Sequence, residues 1–241
     1  MKSLRSLIIT TSNNKLADTA NKTGVWLEDL AAPYFILKDG GEYITIASPA
    51  GGQIPLDLNS QSSLNITENT KRFNADAQAM FHFAHSLPLN EIKQEDYDLV
   101  FMVGGYGAMW DFTDNKYLKE LLELFITKDK PIACVGHAAV ALSALTQANG
   151  TPFVKDRKLT AFSNSEEAAI GLDEKPPFLL ETKLISLGAL FSKKQDFTSY
   201  VVVDRNIITG QNPASAIDTA KQILLLARSK ESGLASNATE M

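Results

Sequence analysis

Pro131-Ile132-Ala133-Cys134-Val135-Gly136-His137-Ala138-Ala139-Val140-Ala141-Leu142 is the stretch whose reading decides the fold. Ile132 to Val135 are a short apolar run suited to a buried strand, Gly136-His137 supply a turn, and Ala138 to Leu145 suit a helix of small residues packed closely on a sheet. A strand, a tight turn and a helix in this order form a nucleophile elbow, in which the apex residue holds a strained backbone and projects into a cleft. Here the apex is Gly136, which tolerates that conformation and carries no side chain.

Working outward, the flanking segments repeat the alternation of strand and helix. Upstream, Leu99 to Val103 is a continuous apolar strand ending in Gly104-Gly105-Tyr106-Gly107, and Asn115 to Thr127 is an amphipathic helix leading to the elbow. Leu4 to Thr11 reads as a first strand running into a polar loop, Ser12 to Thr23. A helix follows from Gly24 to Lys38, bent or closed at Pro33 and stopped by Gly40-Gly41, and then a strand from Tyr43 to Ser48. Residues 49–90 read as an insertion over the sheet edge, helical from Ala75 to His85. Downstream come a strand near Lys158 to Phe162, a short helix around Glu166 to Gly171, a segment from Pro176 to Ser192, strands at Tyr200 to Asp204 and Ile207 to Gly210, and a helix from Pro213 to Arg228. This pattern predicts one α/β domain over residues 1–228, a mostly parallel sheet with helices on both faces, and a disordered tail over 229–241.

The chain has 241 residues, 44% hydrophobic and 21% charged, with a formal net charge of −5. That composition suits a globular protein and carries no basic field for nucleic acid. No apolar run reaches bilayer length and the N-terminus lacks a signal-peptide core, so the expected location is the cytoplasm, with no membrane partner. Cys134 is the one cysteine; internal disulfides and multi-cysteine metal sites are excluded.

The candidate chemistry gathers at the sheet's carboxyl edge. His137, directly after the apex, suits a base or a hydrogen-bonding partner in the cleft, and Glu167, beside Glu166, can orient its imidazole as the third member of a triad does. Gly104 and Gly105 let backbone amides approach a ligand, one of them pairing with the His137 amide as an oxyanion hole. Glu28 and Asp29 begin the early helix and serve either its dipole or the cleft. Tyr106 and Trp110 are candidate pocket residues. Cys134, inside the strand, reads as a buried thiol and is considered as a nucleophile or binding residue because it has no rival. His82 and His85 lack further ligands, so no metal site is expected. The glycine pairs match neither nucleotide-binding fingerprint.

Thr23-Gly24-Val25-Trp26-Leu27-Glu28-Asp29, Ala47-Ser48-Pro49 with Gly51-Gly52, Gly104 to Asp111, the elbow, Phe162 to Glu167, Pro177 to Glu181 and Thr209 to Ser215 together resemble the ThiJ/PfpI superfamily. The resemblance is closest to its heat-shock chaperone and glyoxalase III-like branch, related in fold to class I glutamine amidotransferases. It implies a flavodoxin-like three-layer sandwich, a homodimer and no cofactor. Members carry a Cys at the apex followed by His, an acidic partner, and a Glu five residues after the glycine of the early Thr-Gly motif. Carried over, the His is His137, the acid is Glu167, the apex Cys position holds Gly136, the early Glu position holds Asp29, and the usual loop His is Tyr106.

In active relatives the resemblance implies that a thiolate attacks the aldehyde of methylglyoxal or glyoxal, and that the early Glu moves protons until the adduct rearranges to lactate or glycolate. Gly136 supplies no thiolate. The leading expectation is therefore an impaired member of the lineage that binds small carbonyl compounds or acts in stress response. The alternatives are an active glyoxalase III or hydrolase using His137 with Asp29 or Cys134, and a holdase chaperone.

Overall fold

The structure, a computed structural model, describes residues 3–17, 19–172 and 174–233. Its first half runs β1 (Arg5–Ile9), α1 (Leu27–Asp39), β2 (Tyr43–Ser48), α2 (Glu68–Ala75), α3 (Ala77–Ala84), β3 (Leu87–Pro88), β4 (Leu99–Met102), α4 (Ala108–Asp111) and α5 (Lys116–Thr127). The second half runs β5 (Ile132–Val135), α6 (Val140–Ser143), β6 (Lys158–Leu159), α7 (Asn164–Ala169), α8 (Leu180–Ser186), β7 (Leu190–Phe191), β8 (Val201–Asp204), β9 (Ile207–Gly210) and α9 (Ala216–Glu231).

Seven strands form one sheet in the order β3-β2-β1-β4-β5-β9-β8, parallel throughout except for β8, which returns antiparallel to β9. β6 and β7 form a separate small parallel pair. The apolar runs of β1, β4 and β5 follow from burial on both faces. Alternate side chains go to opposite layers: Ile8, Phe101, Ala133, Val135 and Ile208 pack towards α1 and α9, whereas Leu7, Ile9, Val100, Met102, Ile132, Cys134 and Ile207 pack towards α4, α5 and α8. The result is the flavodoxin-like sandwich expected from the sequence. Because β1 has β2 on one side and β4 on the other, the strand order reverses there, and a crevice opens at the carboxyl ends of the central strands.

Several boundaries differ from the sequence reading for identifiable reasons. The early helix begins at Leu27, not Gly24, because Val25 pairs with the segment at Pro55 to Asp57, its amide donating to the Pro55 carbonyl at 2.9 Å. A Cβ on Gly24 would overlap the Pro55 backbone, so glycine permits that approach. Pro33 does not close α1, which continues to Asp39; its missing amide costs one helical bond, and α1 buries ten side chains, from Leu27 to Leu37, between its neighbours.

The helix expected over 75–85 is α3, which starts at Ala77 because the Asp76 carboxylate caps it by accepting from the Gln78 and Ala79 amides; α2, before it, was not expected. The 49–90 stretch also supplies β3, the sheet's edge strand, rather than only covering it. After the elbow, a single 3-10 turn (Gly136–Ala139) precedes the short α6. The last helix extends past Arg228 to Glu231, so the disordered tail expected from 229 does not begin there; residues 234–241 lie outside the described residues. Among the described residues no helix is long and apolar enough to cross a membrane.

Candidate functional site

β5 ends at Val135 in extended conformation, and Gly136 then turns with φ +56°, inside the left-handed region that favours glycine. A Cβ built on Gly136 would meet a single atom within 4 Å, Asp29 Oδ2 at 3.7 Å. The apex therefore has room for a side chain, and that room faces a carboxyl group.

Asp29 lies in the first turn of α1 and is 1% exposed. It reaches the carboxyl ends of β4 and β5 because Gly104 lacks a Cβ, which would overlap Asp29 Oδ2 and crowd the Val135 carbonyl. Burial, reinforced by the neighbouring Glu28 carboxylate, holds Asp29 well above the usual carboxylate range. The shift favours the protonated acid, and Asp29 Oδ1 has no hydrogen-bond partner among the described residues. The other oxygen, Oδ2, is the one that faces the apex.

His137 is fixed from three sides. Its Nε2 lies 2.7 Å from Glu167 Oε1, and its ring sits between Tyr106 and Phe162, with centroids 4.3 and 4.5 Å away. The Tyr106 hydroxyl donates to the other oxygen of Glu167. Burial pushes the imidazole down to about 3. A neutral ring donates Nε2–H to Glu167 and keeps Nδ1 as an acceptor.

The two adjacent glutamates separate cleanly. Glu166 Oε2 accepts from the Ser163 amide, and its Oε1 accepts from the Phe197 amide at 2.9 Å and from Asn212 Nδ2 at 2.8 Å. It ties α7 to the β7–β8 and β9–α9 connections, while Glu167 serves His137. Glu28, the other acid at the start of α1, accepts from the Thr67 hydroxyl and from Asn69 Nδ2 at 3.0 Å, which pins α2 over the cleft.

The cleft encloses about 520 Å³. Of the residues singled out in the sequence, Asp29, Gly105, Tyr106, Gly136 and His137 line it, with Glu167 behind the imidazole. Gly105, at φ +121°, has no room for a Cβ against Trp26 and Val25, which lets its backbone run along the cavity. Gly104 acts one step back, under Asp29. Trp110 does not line the cleft; it lies beside Tyr106 and borders a separate groove with Lys175 and Pro177.

Cys134 is corrected as a binding residue. It is fully buried on the α4 and α5 side of the sheet, paired with Met102 and Thr209 along its strand, and burial pushes its thiol far up. Trp26, Thr67, Phe162, Phe197 and Asn212 also line the cleft but were not singled out as site residues. Trp26, Phe162 and Asn212 fall inside the motifs that carry the family resemblance, whereas no sequence signal marks Thr67 or Phe197.

The model of the DJ-1/PfpI family matches residues 22–226. The chain belongs to the DJ-1/PfpI family. Among curated relatives, it is 24% identical over 231 residues to a Candida albicans protein called glyoxalase 3, covering 90% of this chain and 95% of that one. It is 26% identical over 223 residues to a glutathione-independent glyoxalase of Schizosaccharomyces pombe, covering 86% and 88%. Among solved structures, the Rapid Encystment Protein 24 KDa of Francisella tularensis is 35% identical, with a TM-score of 0.89 over 93% of this chain and 99% of that one. The structure of glyoxalase III from Candida albicans superimposes with a TM-score of 0.84 over 92% and 96%, at 22% identity, a likeness of fold.

In this DJ-1/PfpI protein the groups of the site meet at one place. The elbow, the imidazole with its glutamate, and an acid at the start of α1 all converge on the Gly136 void. The arrangement offers a carboxyl group whose protonated form is favoured by burial, a neutral imidazole, and the backbone of Gly105 and Gly136-His137 around a space next to the apex. Such groups can hold and polarise a carbonyl oxygen. Among the described residues no group of three or more His, Cys, Asp or Glu side chains is placed to hold a metal ion.

Proposed function

We propose that this DJ-1/PfpI protein binds small carbonyl compounds over Asp29 and His137 and does not convert them by the thiol route of its glyoxalase-named relatives. The observation that carries this reading is the pairing of an empty apex with a sealed thiol. Gly136 presents a hydrogen atom to Asp29, and Cys134 faces the other layer of the sheet with no exposure. A hemithioacetal needs a thiolate at the substrate carbon. Neither residue supplies one.

Burial favours the protonated form of Asp29, which is a donor rather than a base, and this weighs against its activating water with His137. The same proposal has the protein acting in the cytoplasm as a homodimer, and sedimentation equilibrium tests the second part.

The deciding experiment measures lactate formed from methylglyoxal by the parent chain, by Gly136→Cys, and by Gly136→Cys with Asp29→Glu. Background turnover in the parent and a gain in the variants support the proposal. Parent turnover at the level of a relative bearing the elbow thiol overturns it.

A further inference from the structure

The cavity above Asp29 is much larger than a three-carbon dicarbonyl fills. At about 520 Å³ it falls in the range of sites that enclose drug-sized ligands. Its two ends also differ in chemistry. Polar groups gather at the deep end, where Asp29 Oδ2 faces the apex and Gly105, Gly136 and His137 line the same space.

Away from that end the surface is apolar. Trp26, Phe162 and Ile217 form the walls, and Leu64 and Ile170 stand at the mouth, 94% and 43% exposed. Among the described residues these rim side chains stay exposed, an arrangement that favours an apolar ligand body drawn against them. The Glu28 carboxylate on the same lining disfavours an anionic head group.

We infer that the ligand class of this site is a neutral aldehyde or ketone carrying an aromatic or branched-alkyl body. Its carbonyl oxygen accepts from Asp29 and the flanking backbone, and its body lies along Trp26 and Phe162 towards Leu64 and Ile170. The inference rests on the carbonyl-binding reading above and names what that reading leaves open, the part of the ligand beyond the carbonyl.

Three probes separate head from body: acetone, acetophenone and ethylbenzene. They are titrated into the full-length protein and followed by the backbone amide NMR signals of Gly136 and His137. Burying a phenyl group against apolar walls is worth on the order of 30-fold or more in affinity. Acetophenone is therefore expected to bind at least that much more tightly than acetone, and about tenfold more tightly than ethylbenzene, which lacks the acceptor. The double variant Leu64→Ser with Ile170→Ser, both at exposed positions, is expected to weaken acetophenone several-fold and leave acetone unchanged.

Equal affinities for acetone and acetophenone overturn the inference and leave the carbonyl-binding reading standing. Ethylbenzene binding as well as acetophenone, or an unaltered acetophenone affinity in the double variant, also overturns the inference. Saturable binding by neither ketone overturns both.

Discussion

Gly136 and Asp29 face each other across the deep end of the cleft, so that a methyl group placed on the glycine would lie 3.7 Å from the aspartic acid oxygen and touch nothing else within 4 Å. Space is thus available at the apex, and the obstacle to a side chain there is the backbone, at φ +56°. Gly136→Ala is expected to cost about 1 kcal/mol, the ordinary penalty for an L-residue in the left-handed region, and to lower Tm by about 2–4 °C. Gly104→Ala has no such room, because its Cβ would overlap Asp29. Thermal melts of the two variants check the contrast: a larger loss for Gly136→Ala than for Gly104→Ala contradicts the geometry.

Asp29 and Asp111 give the stability a dependence on pH whose sign follows from burial. An acid whose pKa is raised on folding keeps its proton in the native state while the unfolded chain has lost it, so its share of stability is present at low pH and falls as pH rises between the two pKa values. Asp111, raised by burial to about 6 against the pull of its bonds from Ser12, Thr11 and Asn13, loses its share between about pH 4 and 6. Asp29, raised by burial and then by Glu28, adds a loss of the same sign as pH rises. In Asp29→Asn the fall of stability with rising pH is expected to be shallower than in the parent. Denaturant unfolding from pH 4 to 9 measures this, and a parent curve no steeper than the variant's contradicts the Asp29 assignment.

Cys134 is expected to react with a thiol reagent only as fast as the protein unfolds, because its sulfur lies among Met102, Ile132 and the α5 layer with no exposure. Stoichiometric labelling within minutes in native buffer, with the same rate in denaturant, would place the sulfur elsewhere.

How far the sequence disclosed this molecule depended on whether a feature was local. The alternation of apolar residues that places Ala133 and Val135 on one face and Cys134 on the other is written in consecutive positions, so the sheet and the buried thiol were legible. The elbow, the glycines after β4 and the pairing of His137 with Glu167 stand at strand ends where a crevice must form. Pro33 misled because its local cost was visible while the packing of α1 against α2 and α9 was not. The Thr67 and Asn69 bonds to Glu28 join residues about 40 positions apart, and no periodicity announces them. Asn212 was likewise hidden, since its role is to hold Glu166 across 46 residues.

Tyr106 occupies a loop position where its hydroxyl, by donating to Glu167, fixes the carboxylate that fixes His137. Tyr106→Phe keeps the ring against the imidazole and removes the donor. Loss of one buried hydrogen bond is expected to cost about 1–3 kcal/mol. With less competition for Glu167, the imidazole is expected to protonate more easily, so its pKa moves up from about 3. Nitrogen NMR of the imidazole from pH 3 to 8 follows this directly: the parent ring stays neutral, with the proton on Nε2, across the range above pH 5. A parent imidazole that titrates near 6.5, or a variant whose pKa falls, contradicts the coupling.

The adjacent acids Glu166 and Glu167 provide the sharpest separation of structure from chemistry. Glu166→Gln replaces an acceptor of the Ser163, Phe197 and Asn212 donors with an amide that can satisfy only part of them, so stability is expected to fall by about 1–3 kcal/mol with the His137 signals little changed. Glu167→Gln instead removes the charge facing Nε2, and the expected mark is a shift in the tautomer and ring orientation of His137. Carbonyl affinity should follow the second variant more than the first, because Glu167 holds the imidazole beside the apex, whereas Glu166 holds Phe197 and Asn212 in the cleft wall. Ketone titrations of the two proteins, each at a temperature well below its own Tm, decide it: a larger loss of affinity in Glu166→Gln would mean that the wall built by Phe197 and Asn212, rather than the imidazole, governs binding.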